Sequence, residues 1–119
     1  MLRSTLTVLI IGLLCSCQKY AEKIAGEYTG QMTRNDTLID QNASVNLTEV
    51  DKKRISVQSP YFNTYLTDIN KQRYFASVSY YSTDTTGALE VEVYDDGLMV
   101  LFIKDLSENI FTYSGNINN

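Results

Sequence analysis

The sequence has no histidine, no tryptophan, one proline and two cysteines in 119 residues. The lack of histidine excludes a Ser–His or Cys–His nucleophile pair and removes the nitrogen ligands of most zinc sites. Cys15 and Cys17 stand close together at the end of an apolar run, with no further cysteine to complete a metal set. We therefore expect no enzyme activity, no metal centre and no cofactor.

Positive charge is also scarce. The chain has 10 Lys and Arg against 14 Asp and Glu, a formal net charge of −4. The main basic run, Lys52-Lys53-Arg54, lies between two apolar stretches and is typical of a hairpin turn. Nucleic-acid binding needs a clustered basic face, so we expect no nucleic-acid partner.

The chain begins with a short apolar segment. Arg3 precedes the run Leu6–Leu14 (LTVLIIGLL), which is too short for a membrane-spanning helix of ~20 apolar residues. A positive charge, a short apolar core and small residues after it are typical of a secretory signal peptide. We assign residues 1–16 to that peptide and exclude them from the fold.

The four residues Leu14-Cys15-Ser16-Cys17 resemble the lipobox of bacterial lipoproteins. The resemblance implies cleavage between Ser16 and Cys17 and the attachment of lipid, palmitate included, to Cys17. Cys15 does not qualify because Leu14, which is not small, precedes it. Two or three acyl chains anchor a protein firmly to a bilayer. The alternative is a secreted protein that is cut elsewhere and keeps both cysteines.

A polar segment, residues 17–23, predicts a tether to the membrane, and residues 24–119 remain for one small β-barrel domain. Gln18 stands where enteric lipoproteins of the inner membrane have Asp. The acidic residues that resemble a surface-export signal in Bacteroidota begin here only at Glu22. We therefore expect a lipid-anchored protein at the periplasmic face of the outer membrane.

The rest of the chain predicts strands. Val, Ile, Thr, Tyr and Phe recur from Ile24 to the end, and Ile69–Arg73 suits one turn of helix at most. Besides two hairpins, the candidate strands are Gly26–Thr33, Tyr61–Asp68, Tyr74–Ser82 and Ile110–Gly115, with a short edge strand within Asp36–Asn42. Seven or eight antiparallel strands predict an all-β fold, a small up-and-down β-barrel or, as the alternative, a β-sandwich.

The first hairpin is Ala88–Lys104 (ALEVEVYDDGLMVLFIK), where Asp96-Gly97 suits a type I′ turn. A two-residue loop puts four apolar side chains on one face, those of Val91, Val93, Val100 and Phe102. The opposite face then carries Glu90, Glu92, Leu101 and Ile103. A strand that is apolar on both faces packs against protein on both sides, so we expect an apolar outer patch at Leu101 and Ile103.

The second hairpin, Ser44–Ser59 (SVNLTEVDKKRISVQS), has four apolar residues at odd positions. They are Val45, Leu47, Ile55 and Val57. Pairing odd with odd requires a loop of odd length, so we expect the three-residue loop Asp51-Lys52-Lys53.

Two segments resemble the first and last strands of the calycin-like or lipocalin-like lipoproteins of Bacteroidota. They are IAGEYTG (Ile24–Gly30) and IFTYSGN (Ile110–Asn116), and the resemblance covers about residues 22–116. Tyr28 stands where lipocalins have the Trp that plugs the closed end of the barrel. The resemblance implies an eight-stranded barrel, whose larger relatives hold an apolar small molecule. Eight strands leave room for one small ligand at most.

Nine tyrosines supply rings with an apolar body and a polar tip, which suit a binding surface. Tyr28, Tyr65 and Tyr80 are our candidate binding residues, although the same rings also suit a β core without tryptophan. Asp36-Thr37-Leu38 and Asp84-Thr85-Thr86 resemble the O-glycosylation acceptor of Bacteroidota. Thr37 and Thr85 are therefore candidate glycosylation sites.

These features predict a membrane-anchored, non-enzymatic envelope lipoprotein whose barrel binds a small apolar or amphipathic ligand. The alternative is a protein-binding module, such as an inhibitor of lysozyme or protease or an accessory subunit, that docks through Leu101 and Ile103. An enzyme would need Glu90 and Glu92 as an acid–base pair, but a solvated strand face explains these two carboxylates more simply.

Overall fold

The computed structural model describes residues 19–83 and 87–119. The predicted signal peptide (residues 1–16), its cleavage site at Ser16-Cys17, the lipidation site Cys17 and the candidate acceptor Thr85 lie outside the described residues. Of the segment Thr83–Gly87, only the two end residues are described.

The described residues form a closed antiparallel barrel in which each strand pairs with its chain neighbours and the last strand pairs with the first. The strands are β1 (Gly26–Arg34), β2 (Thr37–Asp51), β3 (Arg54–Ser59), β4 (Phe62–Tyr74), β5 (Ser77–Ser82), β6 (Leu89–Tyr94), β7 (Leu98–Lys104) and β8 (Ile110–Ile117). The up-and-down β-barrel predicted from the strand pattern is confirmed, with eight strands, and the alternative β-sandwich is excluded.

A short helix, α1 (Tyr20–Ile24), lies across one end of the barrel. Ala21 and Ile24 are buried, and the N–H of Ala21 donates to the carbonyl oxygen of Lys52 in the β2–β3 turn (2.9 Å). Residues 20–23, which we predicted as part of the tether, are thus packed on the barrel, and the domain begins at Tyr20. Within the described residues, no helix has the length and apolar character needed to span a bilayer.

The two ends of the barrel differ in their connections. The end covered by α1, called the helix end, also carries the β2–β3, β4–β5 and β6–β7 turns. The opposite end, called the loop end, carries the β1–β2 and β3–β4 turns and the loops that follow β5 and β7. Asn35 in the β1–β2 turn and Asn109 in the β7–β8 loop are hydrogen-bonded through their side chains there (3.1 Å).

The β6–β7 hairpin has a register that differs from the predicted one. Val93 pairs with Met99, so Asp95-Asp96-Gly97 is a three-residue loop. The N–H of Gly97 donates to the carbonyl oxygen of Tyr94 (3.0 Å), and Gly97 has a φ of +92°. A turn followed by a left-handed glycine is the usual form of such a loop.

The new register exchanges the two faces of β7. Leu101 and Ile103 are 1% and 0% exposed inside the barrel, whereas Val100 is 44% exposed outside it. Phe102 is half-buried on the same outer face as Val100. The outer patch that we predicted at Leu101 and Ile103 is therefore wrong, and Val100 and Phe102 lie there instead.

The β2–β3 hairpin buries the predicted face, since Val45, Leu47, Ile55 and Val57 all lie in the core. Its loop, however, is Lys52-Lys53, because β2 continues to Asp51 and β3 begins at Arg54. The predicted three-residue loop is wrong. A register shift between Glu49 and Asp51 adds the extra residue as a bulge, which preserves the odd-with-odd pairing.

Two strands are longer than predicted. β2 includes most of the segment predicted as a separate edge strand, and β4 continues through Ile69–Arg73, where we expected at most a turn of helix. β4 pairs with β3 as far as Asp68 and with β5 from Ile69 onward. The second half of β4 and its partner β5 thus form a hairpin that extends past the β2–β3 turn at the helix end.

Two glycines allow β1 and β8 to close the barrel. Gly30 pairs with Gly115, and a Cβ on Gly30 would lie 2.0 Å from the carbonyl oxygen of Ser114. A Cβ on Gly115 would lie 2.3 Å from the Tyr113 hydroxyl, which donates to the carbonyl oxygen of Ala43 on β2 (3.2 Å). The glycines thus permit the close approach of β1 and β8 and the packing of the Tyr113 ring.

Candidate functional site

Tyr28 is a core residue. It is 1% exposed, and its hydroxyl donates to the carbonyl oxygen of Ile24 at the end of α1 (2.8 Å). Burial raises the pKa of Tyr28 to about 12, because an apolar environment disfavours the phenolate. Tyr28 therefore joins the barrel to α1, and its side chain is almost completely buried.

The other two candidate tyrosines lie at opposite ends of the barrel. Tyr65 packs beside Phe62 near the loop end, with 6.1 Å between ring centroids. Tyr80 packs beside Tyr20 of α1 at the helix end, with 6.0 Å between centroids. Tyr28 and Tyr80 both line the groove between α1 and the β6–β7 turn, whereas Tyr65 lies at the opposite end, so the three residues do not form one site.

Side chains fill the middle of the barrel. The interior residues with no exposed surface are Met32, Val45, Ile55, Val57, Met99 and Ile103, all at 0%. A ligand cavity would leave accessible surface on its lining. Among the described residues, every buried side-chain nitrogen or oxygen has a hydrogen-bond partner, so no unsatisfied group is left there for a polar ligand. A site for a small ligand would therefore lie on the outside of the barrel.

An open groove of about 360 Å³ runs over the outer face of β5, β6 and β7. We call it the outer groove, and its lining residues are Tyr81, Ser82, Glu90, Val91, Glu92, Tyr94, Val100 and Phe102. Antiparallel pairing sets Glu92 opposite Val100 and Glu90 opposite Phe102. Because directly paired residues share a face of the sheet, each carboxylate stands beside an apolar side chain.

The outer groove is acidic and aromatic. Tyr94 has a raised pKa, first because its hydroxyl hydrogen-bonds to Glu92 and then because the negative charge of Glu92 disfavours a phenolate. Tyr81 is paired with the same Glu92 from β5, and none of the lining residues is basic. This arrangement suits a group with an apolar part and a positive charge, which rings and carboxylates both attract.

Two other grooves differ from the outer groove in charge or in size. The one beside β3 and β4, about 420 Å³, has a mostly polar and charged lining around the exposed Arg54–Asp68 ion pair (2.8 Å). The one between α1 and the β6–β7 turn also has tyrosine, apolar and acidic lining residues, but it is smaller, about 270 Å³, and its lining includes the basic residue Lys23. Residues 19–83 and 87–119 contain no group of three or more acidic side chains arranged to hold a metal ion.

Thr37, the described candidate for glycosylation, is exposed at the start of β2. It follows the tight turn Asn35-Asp36, in which both residues have positive φ (50° and 67°). The side chain is accessible and belongs to the first residue of the strand.

No protein family, curated protein or solved structure matches the chain. The residues of the outer groove are therefore identified from geometry. Sequence reasoning found Glu90 and Glu92 but placed them beside Leu101 and Ile103, and it missed Val100 and Phe102 as surface residues. The signal that identifies them is Asp95-Asp96-Gly97 taken as a three-residue loop.

Proposed function

We propose that this protein is a lipid-anchored, non-enzymatic binding protein of the cell envelope, held through Cys17 at the periplasmic face of the outer membrane. Its ligand is amphipathic. The apolar part lies against Val100 and Phe102, and a positively charged part lies near Glu90 and Glu92. This assignment keeps the binding role expected of a lipocalin-like barrel but moves the ligand from the interior to the outer groove.

The proposal of a ligand in the outer groove rests on one observation. Half-buried aromatic side chains, the exposed Val100 and two carboxylates converge in the outer groove, whereas the interior is filled by the core. The groove volume of about 360 Å³ falls in the range of small-molecule sites. An open strand face also excludes no water, which supports binding over acid–base chemistry by Glu90 and Glu92.

The anchor is tested by labelling. Cells that express the full chain are expected to incorporate labelled palmitate into the protein, and Cys17→Ser is expected to remove both the label and the membrane association, since several acyl chains supply the anchor. Cys15→Ser is the matched control and should retain the label. A Cys17→Ser variant that is still labelled contradicts the assignment of the lipid to this residue.

The outer groove is tested by removing its aromatic side chain. Phe102→Ser is expected to weaken ligand retention about tenfold or more, because a buried phenyl ring contributes ~1.5–3 kcal/mol. Native mass spectrometry of lipoprotein purified from its own membrane measures the bound fraction. Leu66→Ser is the control, since Leu66 is 61% exposed on β4, away from the groove. Equal loss in both variants, or wild-type protein without a bound species, counts against the site.

A protein partner is the second candidate, and the exposure of Val100 (44%) on the open side of the groove favours it. A loop or strand of a partner offers the same amphipathic chemistry as a small ligand. The mass of the bound species that the Phe102→Ser variant no longer retains distinguishes a small ligand from a protein partner.

A further inference from the structure

The tip of the β4–β5 hairpin exposes two adjacent aromatic rings. Tyr74 is 65% exposed and Phe75 is 100% exposed. A fully exposed phenylalanine contributes nothing to the core. Adjacent exposed rings at the tip of a protruding hairpin indicate contact with something outside the fold.

The backbone conformation of Phe75 at this tip is unfavourable for a bulky side chain. Tyr74 pairs with Ser77, so Phe75-Ala76 is a two-residue loop, and Phe75 has a φ of +53°. Glycine or asparagine is usual at a left-handed loop position, whereas a bulky side chain is strained there. No packing holds Phe75 in this conformation. Strain of this kind is a common sign of a functional position.

Charge distinguishes this hairpin from the rest of an acidic chain. The segment Ile69–Ser82 contains Lys71 and Arg73 and no Asp or Glu. Acidic residues border this segment, since Asp68 precedes it on β4 and Asp95 of the β6–β7 turn accepts a hydrogen bond from the N–H of Val78 (3.4 Å). The loop end has mixed charge, since it exposes Asp36 and Glu108 but also Arg34 and Lys104. The two basic side chains of the β4–β5 hairpin therefore favour an anionic surface at its tip.

The hairpin lies next to the point where the chain leaves the barrel toward Cys17. The Tyr20 ring at the start of α1 packs on Tyr80 of β5, and the ammonium of Lys53 lies 5.3 Å from the centroid of the same ring. Cys17 is two residues before Lys19, and two residues span at most ~7 Å. A lipid on Cys17 would therefore enter the bilayer beside the β4–β5 hairpin.

We propose that the Tyr74-Phe75 tip inserts into the headgroup region of the bilayer that holds the lipid anchor, with Lys71 and Arg73 near the lipid phosphates. Aromatic rings concentrate at this depth of a bilayer, and basic residues beside them bind anionic headgroups. The orientation rests on the proposed anchor at Cys17. Lipid and tip together hold the barrel with its helix end toward the membrane and its loop end away from it.

The chain has no tryptophan, so a single introduced tryptophan reports on one position. Phe75→Trp places it at the tip, and Leu106→Trp, at a side chain that is 104% exposed in the β7–β8 loop, is the matched control at the loop end. Both full-length lipoproteins are reconstituted in vesicles of phosphatidylethanolamine and phosphatidylglycerol with brominated acyl chains. A ring ~5–10 Å deep in the interface lies within reach of bromine, so the Phe75→Trp emission should shift to the blue and fall by about half, and the Leu106→Trp emission should not change.

Palmitate labelling separates the two proposals. If the protein is labelled but the tryptophan at position 75 stays unquenched, or if both tryptophans are quenched equally, the insertion of the tip is wrong and the anchor stands. If no label is incorporated, the same unlipidated full-length variants are mixed with the vesicles. Quenching only at position 75 then shows that the tip inserts without the lipid anchor. Quenching at neither position shows that the tip does not insert. A tip that binds a protein instead gives no quenching in protein-free vesicles.

Discussion

Gly30→Ala is expected to destabilise the barrel by about 3 kcal/mol or more, at the upper end of the cost of overpacking. The new Cβ would lie 2.0 Å from the carbonyl oxygen of Ser114 and 2.3 Å from the Cα of Gly115. Both are backbone atoms of β8, so no side-chain rotation relieves the contact. β1 has to move away from β8, which weakens the pairing that closes the barrel.

Urea denaturation followed by circular dichroism measures this loss, since the chain has no tryptophan to report it. The control is Gly87→Asn. An added Cβ at Gly87 meets nothing within 4 Å, although its φ is +77°, and asparagine tolerates that conformation. We expect the control to change stability by less than ~1 kcal/mol. A Gly30→Ala variant as stable as this control would show that β1 and β8 are not paired at Gly30.

Leu101→Lys is expected to destabilise the protein by more than ~4 kcal/mol, because it places a charge without a partner in the core. Leu101 is 1% exposed, whereas its neighbour Val100 is 44% exposed on the outer groove. Val100→Lys should therefore change stability by no more than ~0.5 kcal/mol. The measurement is the midpoint of thermal or urea unfolding for the two variants in parallel.

This comparison also tests the register of the β6–β7 hairpin. A two-residue loop at Asp96-Gly97 would turn Val100 inward and Leu101 outward. If Val100→Lys is the damaging substitution, then the three-residue loop is wrong, and Val100 and Phe102 do not line a surface groove.

Much of the fold follows from the sequence where one face of a strand is apolar. In the β2–β3 hairpin, Val45, Leu47, Ile55 and Val57 occupy odd positions and alternate with polar residues at even ones, so only one register buries this apolar set. The bulge between Glu49 and Asp51 changes the loop length without changing that face. The strand face was therefore predictable even though the loop was not.

The β6–β7 hairpin is different because β7 is apolar from Leu98 to Ile103 on both faces. The burial of apolar side chains therefore favours neither register of this strand, and the length of the turn determines which register forms. Asp96-Gly97 suits a two-residue turn, while Asp95-Asp96-Gly97 suits a three-residue loop with the glycine left-handed, which the φ of Gly97 (+92°) shows. The outer groove depends on that choice, and for this reason sequence reasoning found its carboxylates but not its apolar side.

The sequence alone does not distinguish the tyrosines of the core from those of the surface. Tyr28 and Tyr113 have buried hydroxyls, and burial raises the pKa of each to about 12. Tyr74 lies exposed at a hairpin tip. A ring with a polar tip suits all of these surroundings, so only the packing of the strands distinguishes a core tyrosine from a surface one.

The strand order has a consequence for how the chain folds. Seven of the eight interstrand pairings join consecutive strands, and only β1 with β8 joins distant parts of the chain. Consecutive hairpins close short loops and can form early, whereas the final pairing has to overcome the loop-closure entropy of nearly the whole domain. We expect refolding to proceed by sequential addition of hairpins, with β1–β8 pairing as the slow last step.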